Sequence, residues 1–249
     1  MSLFANLDTD AAIIGDEDTL GGGFMVDSGV YDMIIDMAYA DTSTGGALSV
    51  NLHLKDTASG ALVRLTEYVT SGNAKGNSNT YIDQKSGKKR FLPGYNKMDA
   101  MAKLASGKDL KDLTQETKMI NRFSFDVGKE VPTKTEVMPE LLGKQITVGM
   151  LKQTVDKNIK NDHGAWVPSG ETRDENVADK FFRTSDRMTT TEVIGGADKG
   201  VFIDKWSSQN TGITKDKTTN AAPAAISGAP VAKAAAPSAG PAAASLFAN

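Results

Sequence analysis

Three consecutive segments alternate apolar and polar residues with a period of two, and short glycine turns join them. In Val30–Ala40 the odd positions are Tyr31, Met33, Ile35, Met37 and Tyr39, while Asp32 and Asp36 fall in the even register. Ala47–Leu54 puts Leu48, Val50, Leu52 and Leu54 on one side and Ser49, Asn51 and His53 on the other. Ala61–Val69 follows after Ser59-Gly60. Side chains alternate across a sheet, so this pattern predicts half-buried strands rather than helices. Turns as short as Thr44-Gly45-Gly46 join antiparallel neighbours, so the three segments form a meander with one apolar face.

The chain beyond the meander is less regular. Thr70–Asn79 is rich in Ser, Gly and Asn and reads as a long mobile loop that carries Lys75. Tyr81–Phe91 reads as a small hairpin turning at Ser86-Gly87, and Pro93-Gly94 breaks it. A helix is expected from Asn96, a fair N-cap, with Met98, Met101, Ala102, Leu104 and Ala105 on one side and Gly107 at its end. Further strands are expected at Lys118–Val127 and, after a turn at Pro139–Leu142, at Gln145–Val155, where Ile146, Val148 and Met150 share a register. Asp156–Gly170 reads as a polar loop, Glu171–Phe182 as a helix, and Gly200–Gln209 as a last helix with Phe202, Ile203 and Trp206 on one stripe. At least five strands with a helix inserted late predict a mainly β chain: a single oligonucleotide-binding-type β-barrel with a few short helices. A β-sandwich would satisfy the alternation equally well, and the helix after the third strand favours the barrel.

The two ends differ from this body. Residues 1–20 form an acidic arm with Asp8, Asp10, Asp16, Glu17 and Asp18, joined through Gly21-Gly22-Gly23 to a domain spanning 21–215. From 216 to 249 the chain becomes an Ala/Pro-rich tail that cannot bury enough apolar surface to fold, so disorder is expected there. The tail ends on Ser245-Leu246-Phe247-Ala248-Asn249, and the same pentapeptide stands at Ser2-Leu3-Phe4-Ala5-Asn6. A hydrophobic pair on a tether suits capture by a partner, which makes Leu3, Phe4, Leu246, Phe247 and Asn249 the candidate partner-binding residues. Coincidence or local duplication is the plain alternative.

Composition narrows the chemistry. With no cysteine there is no disulfide framework, thiolate metal site or cysteine nucleophile, which fits a reducing compartment. The acidic start lacks the basic opening of a signal peptide, and no apolar run has the length of a membrane span, so a cytoplasmic protein with no membrane partner is expected. His53 and His163 stand apart without metal-spaced neighbours, and Gly21-Gly22-Gly23 lacks the lysine and the preceding strand of a phosphate-binding loop. No catalytic residue, metal ligand or cofactor is therefore assigned. Asp32 and Asp36 could serve a metal-dependent nuclease but fit equally well as solvent-side residues.

The stretch from Lys75 to Lys111 is different, because it interleaves cations with rings in a chain whose net charge is −3. Cations follow phosphates and rings stack on unpaired bases, so this combination suits single-stranded nucleic acid. The candidate contacts are Tyr68, Lys75, Tyr81, Lys85, Lys88, Lys89, Arg90, Phe91 and Tyr95, and a second basic set, Lys152, Lys157 and Lys160, extends the groove. Tyr68 falls in the register of Arg64 and Thr66, away from Val63 and Leu65, and so faces away from the core. The plainer alternative is a solvated basic hairpin anchored by Phe91 and Tyr95.

Three blocks carry a resemblance. The run from Tyr81 to Tyr95, Tyr-Ile-Asp-Gln-Lys-Ser-Gly-Lys-Lys-Arg-Phe-Leu-Pro-Gly-Tyr, resembles the hairpin segment of a family of bacteriophage single-stranded DNA-binding proteins. Glu140–Asn158 and Glu171–Phe182 are similar to later blocks of that family, in the same order, and the resemblance covers roughly Ser28 to Gly212. It implies a single oligonucleotide-binding barrel whose C-terminal tail recruits replication or recombination proteins. The resemblance also implies a tail that ends in acidic residues plus an aromatic, and here the chain departs from it: nothing acidic follows Asp216, although Phe247 remains.

The expectation is therefore a non-enzymatic, sequence-tolerant single-stranded DNA-binding protein of phage replication, recombination or repair, acting in the cytoplasm of an infected cell. A virion structural or assembly protein that uses the repeated pentapeptide as a docking tag is the rival, and homo-oligomer formation is left open.

Overall fold

The computed structural model describes residues 25–124 and 127–219. The acidic N-terminal arm, nearly all of the Ala/Pro-rich tail and both pentapeptides, with Leu3, Phe4, Leu246, Phe247 and Asn249, lie outside the described residues. In chain order the elements are β1 (Gly29–Thr42), β2 (Leu48–Asp56), β3 (Leu62–Tyr68), β4 (Thr80–Ile82), β5 (Lys89–Phe91), α1 (Pro93–Ser106), β6 (Glu116–Ser124) and β7 (Lys129–Val137). They continue with β8 (Gln145–Lys160), β9 (Trp166–Phe182), α2 (Thr190–Ile194), α3 (Phe202–Asn210) and β10 (Thr214–Asp216). Two compact units divide the chain: among the described residues the larger holds 25–154 and 174–217, and the smaller holds 155–173 with 218–219.

The chain is mainly β with a large, mostly antiparallel sheet ordered β10-β8-β1-β2-β3, in which β10 runs parallel to β8, and to which β7, β6 and β9 are added. The meander is present: Leu52 faces Leu65 across β2–β3 and Ala38 across β1–β2. One edge of β1 is shared, since Gly29–Ile34 pairs with β8 and Tyr39–Ala40 pairs with β7. No pairing joins β3 to β9 or β10 among the described residues, so the ladders do not close into a ring.

The core lies on one face of this sheet. Met33, Ile35, Leu52, Leu54, Ile146, Val148 and Met150 are fully buried, and Met98, Met101 and Ala102 of α1 cover them. Their spacing puts these α1 residues on one helical stripe, and each large apolar side chain so buried contributes about 1.5–3 kcal/mol. The alternation in β1 does not run through. The register slips between Ile35 and Met37, leaving Asp36 as an unpaired extra residue. Beyond this bulge the phase inverts, so Ala38 enters the core and Met37 does not.

Several boundaries differ from the sequence reading. Pro93 opens α1 as its first residue instead of breaking the chain, because the N–H that proline lacks has no partner at that position. Asn96 is consequently inside the helix, and its N–H donates to the Leu92 carbonyl at 3.0 Å. The expected loop at 156–170 is two strands with a turn confined to Asn161–Ala165. Glu171–Phe182 is strand rather than helix. Long-range bonds from the Gln153 amide to Glu175 at 2.8 Å and from the Thr154 hydroxyl to Asp174 at 2.7 Å tie it to β8. Such pairing outweighs local helix preference. Strand β7, unread in the sequence, contains Pro132, whose non-β6 edge is unpaired among the described residues, where β1 meets β7 at Glu136 and Val137.

The last helix is where the pattern places it. Trp206 of α3 lies against Gly149 of β8, where a Cβ would approach the indole to 3.0 Å, and its ring N–H donates to Asp179 at 2.6 Å. A short helix unread in the sequence, α2, precedes it and carries a capping box between Thr189 and Glu192. Among the described residues, no helix is long and apolar enough to cross a membrane.

Candidate functional site

The basic hairpin β4–β5 is organised by an acid. The Asp83 carboxylate accepts from the Ser86 hydroxyl at 2.6 Å and the Lys85 backbone N–H at 3.2 Å, and it lies 3.3 Å from the Arg90 guanidinium. Its backbone closes the turn with Lys88 and Gly87 at 2.9 and 2.7 Å, and Gly87 takes the left-handed conformation (φ 65°) that such a turn requires. Lys85, Lys88 and Lys89 are all exposed. None of them forms an ion pair among the described residues, so their charge is available to a ligand.

Beside this hairpin lies an open groove of about 560 Å³, and Tyr68, Lys75 and Tyr81 line it together with the first residues of α1. Tyr68 is 55% exposed and Tyr81 42%, as expected of rings directed away from a core. The loop that carries Lys75 is held at many points, in contrast to the mobile loop expected. The Ser71 backbone N–H donates to Ser78 at 2.9 Å, the Asn77 N–H donates to Gly72 at 2.7 Å, and Asn73–Lys75 forms a 3₁₀ turn. Behind Tyr68, Glu67 pairs with Lys97 of α1, and the Lys97 ammonium also donates to the Ala178 carbonyl at 3.2 Å.

The remaining predicted residues are placed differently. Phe91 is 49% exposed and stacks on Tyr95, with centroids 5.0 Å apart and planes 29° from parallel. Tyr95 packs against the core, and its burial, followed by the Asp99 charge, raises its hydroxyl above the ordinary tyrosine pKa. It therefore anchors Phe91 and is not among the residues lining the groove. Lys152 sits between Asp27 at 3.5 Å and Asp174 at 3.8 Å, and in the smaller unit Lys157 holds Glu171 at 2.8 Å. Both cations are thus engaged by carboxylates.

A second set of groups was not read as a site from the sequence. Arg64, Thr66 and Tyr68 project to the same side of β3, and across β2 they face His53, Asn51 and Ser49. The Thr66 hydroxyl donates to Asn51 at 2.7 Å, and His53 meets Tyr39 edge-on at 5.9 Å. From β6, Arg122 lies over the Tyr39 ring at 5.0 Å and pairs with Asp41. Glu130 of β7 approaches Arg64 to 4.0 Å. Burial, followed by the Arg64 charge, lowers the His53 pKa, so this imidazole stays neutral to lower pH than usual. The result is a polar face with a ring and an arginine on it, and through Tyr68 it shares a register with the groove. Period two on β3 signalled half of it; the β6–β7 half needed β7 to be recognised.

Asp32 is held by an arginine and a threonine. Arg187 binds it through two nitrogens, one at 2.8 Å, and Thr147 donates to it at 2.6 Å. Among the described residues, no group of three or more His, Cys, Asp or Glu side chains is arranged to hold a metal ion. No protein-family model matches this sequence, and no curated protein matches it significantly.

Proposed function

We propose that this chain is a sequence-tolerant single-stranded DNA-binding protein that works without catalysing a reaction. The observation that carries this reading is the convergence of two exposed rings, Tyr68 and Tyr81, and the Lys75 ammonium in one open groove beside a hairpin bearing Lys85, Lys88 and Lys89. Rings accept any base by stacking, and ammonium groups follow the phosphates, so the combination binds strands with little regard to sequence. The resemblance of three segments to phage single-stranded DNA-binding proteins supports the same reading.

The finer architecture belongs to this proposal too. A β1 strand shared between β2 on one edge and β8 and β7 on the other, with α1 following β3, is what an open variant of the oligonucleotide-binding fold would have. Leu246 and Phe247, with their copies Leu3 and Phe4, would then recruit replication or recombination proteins.

The test compares labelled oligo-dT with a duplex of equal length by fluorescence anisotropy over a range of salt. Tighter binding to oligo-dT that weakens steeply with salt is the expected result. Equal or stronger binding to the duplex, or no binding to either, overturns the reading.

A further inference from the structure

The chain has two tryptophans, and they are placed in opposite ways. Trp206 is 3% exposed, whereas Trp166 is 67% exposed at the start of β9. Packing an indole removes about 150–250 Å² from water, so a tryptophan left outside forgoes one of the largest stabilising contributions a side chain can make. Nothing in the turn forces this. Asn161 and Ala165 close it with a backbone bond at 2.9 Å, and the Asn161 side chain accepts from His163 and Ala165 at 3.1 and 2.9 Å. Those bonds hold the ends of β8 and β9, Lys160 and Trp166, on either side of the turn.

The two residues touch. The Lys160 ammonium lies 5.3 Å from the centre of the Trp166 ring, which orders the indole and places a positive charge at its face. Lys160 forms no ion pair among the described residues. Of the acids in this unit, Glu171 holds Lys157 at 2.8 Å, Asp156 accepts from the Thr219 N–H at 2.9 Å and its hydroxyl at 2.6 Å, and Asp162 stands exposed in the turn without an ion pair to Lys160 among the described residues.

We infer that Trp166 and Lys160 form a stacking platform for an unpaired nucleobase, with the Lys160 ammonium meeting the adjoining phosphate. The charge argues for this ligand over an apolar protein surface. Covering the ring with an apolar partner would strip water from Lys160 without replacing it, which is costly, whereas a phosphodiester beside a stacked base compensates the ammonium. The inference rests on the single-strand reading above and adds a contact outside the hairpin groove.

The experiment follows one titration by two signals: anisotropy of labelled oligo-dT, and tryptophan emission with acrylamide quenching. Bound DNA should quench emission and shield it from acrylamide in the wild type, and both effects should be absent in Trp166→Phe, which keeps only the buried Trp206. Trp166→Ala should weaken binding roughly 5- to 150-fold. Lys160→Ala should lower the salt slope by about 0.7. If oligo-dT binds but emission and acrylamide access are unchanged and Trp166→Ala binds as the wild type, the platform is wrong and the single-strand reading stands. If oligo-dT does not bind the wild type, both fall together.

Discussion

Gly94, the second residue of α1, passes so close to β3 that a Cβ on it would lie 2.1 Å from the Tyr68 carbonyl oxygen. The floor of the groove and one of its rings are therefore set by a single backbone approach that only glycine permits. Gly94→Ala must push the start of α1 away from β3. Overpacking of this kind costs about 1–3 kcal/mol, and the thermal midpoint should fall by roughly 2–12 °C. A melt that matches the wild type would mean that α1 does not sit against Tyr68.

The hairpin cations give a prediction about salt. Replacing Lys88, Lys89 and Arg90 together by alanine should reduce the slope of log affinity against log salt by about two, if each meets one phosphate of a single strand. The three side chains are exposed, so the melting temperature should hardly move. An unchanged slope would remove the hairpin from the DNA contact.

Rings in and out of the groove should separate in two measurements. Tyr68→Ala and Tyr81→Ala should each cost roughly 1–3 kcal/mol of binding and leave the melt unchanged, because both rings stand in solvent. Tyr95→Ala should do the reverse, lowering the melt through lost packing on Phe91 and the core. Loss of stability on replacing Tyr68 would reassign it as a structural residue.

The Asp32–Arg187 pair predicts a response to acid. The hydrogen bond from Arg187 lowers the Asp32 pKa below its ordinary 3.8. The unfolded chain then takes up this proton at a higher pH than the native one. The stabilisation is complete above the ordinary value and is lost as pH falls through the lowered one. Asp32→Asn should therefore flatten the decline in urea midpoint below about pH 4. At pH 7 it should cost at most about 1 kcal/mol, since solvent screens a pair this exposed. An identical acid profile in the variant would show that the pair contributes nothing.

What the sequence determined by itself was whatever repeats over a few residues. Period two in β2 and β3 put Val50, Leu52, Leu54, Val63 and Leu65 inside and turned Tyr68 outward. Helical spacing identified Met98, Met101 and Ala102 as the buried stripe of α1, and Trp206 as that of α3. These assignments need no partner, because the side-chain period alone decides which face a residue takes.

Tertiary structure decided everything that depends on a partner distant in the chain. The bulge at Asp36 exists only against β2, and it exchanges Met37 for Ala38 in the core. Residues 171–182 carry a pattern compatible with a helix, yet the ladder to β8 makes them strand. Arg122 reaches Tyr39 across 83 positions, close to the separation over which Lys97 meets Ala178, because folding brings distant strands and helices side by side. The same holds for the groove: composition supplied its rings and cations, but the fold chose Tyr68, Lys75 and Tyr81 to meet and turned Tyr95 into their neighbour's support. A local pattern specifies a face, whereas register and long-range pairing specify which faces come together.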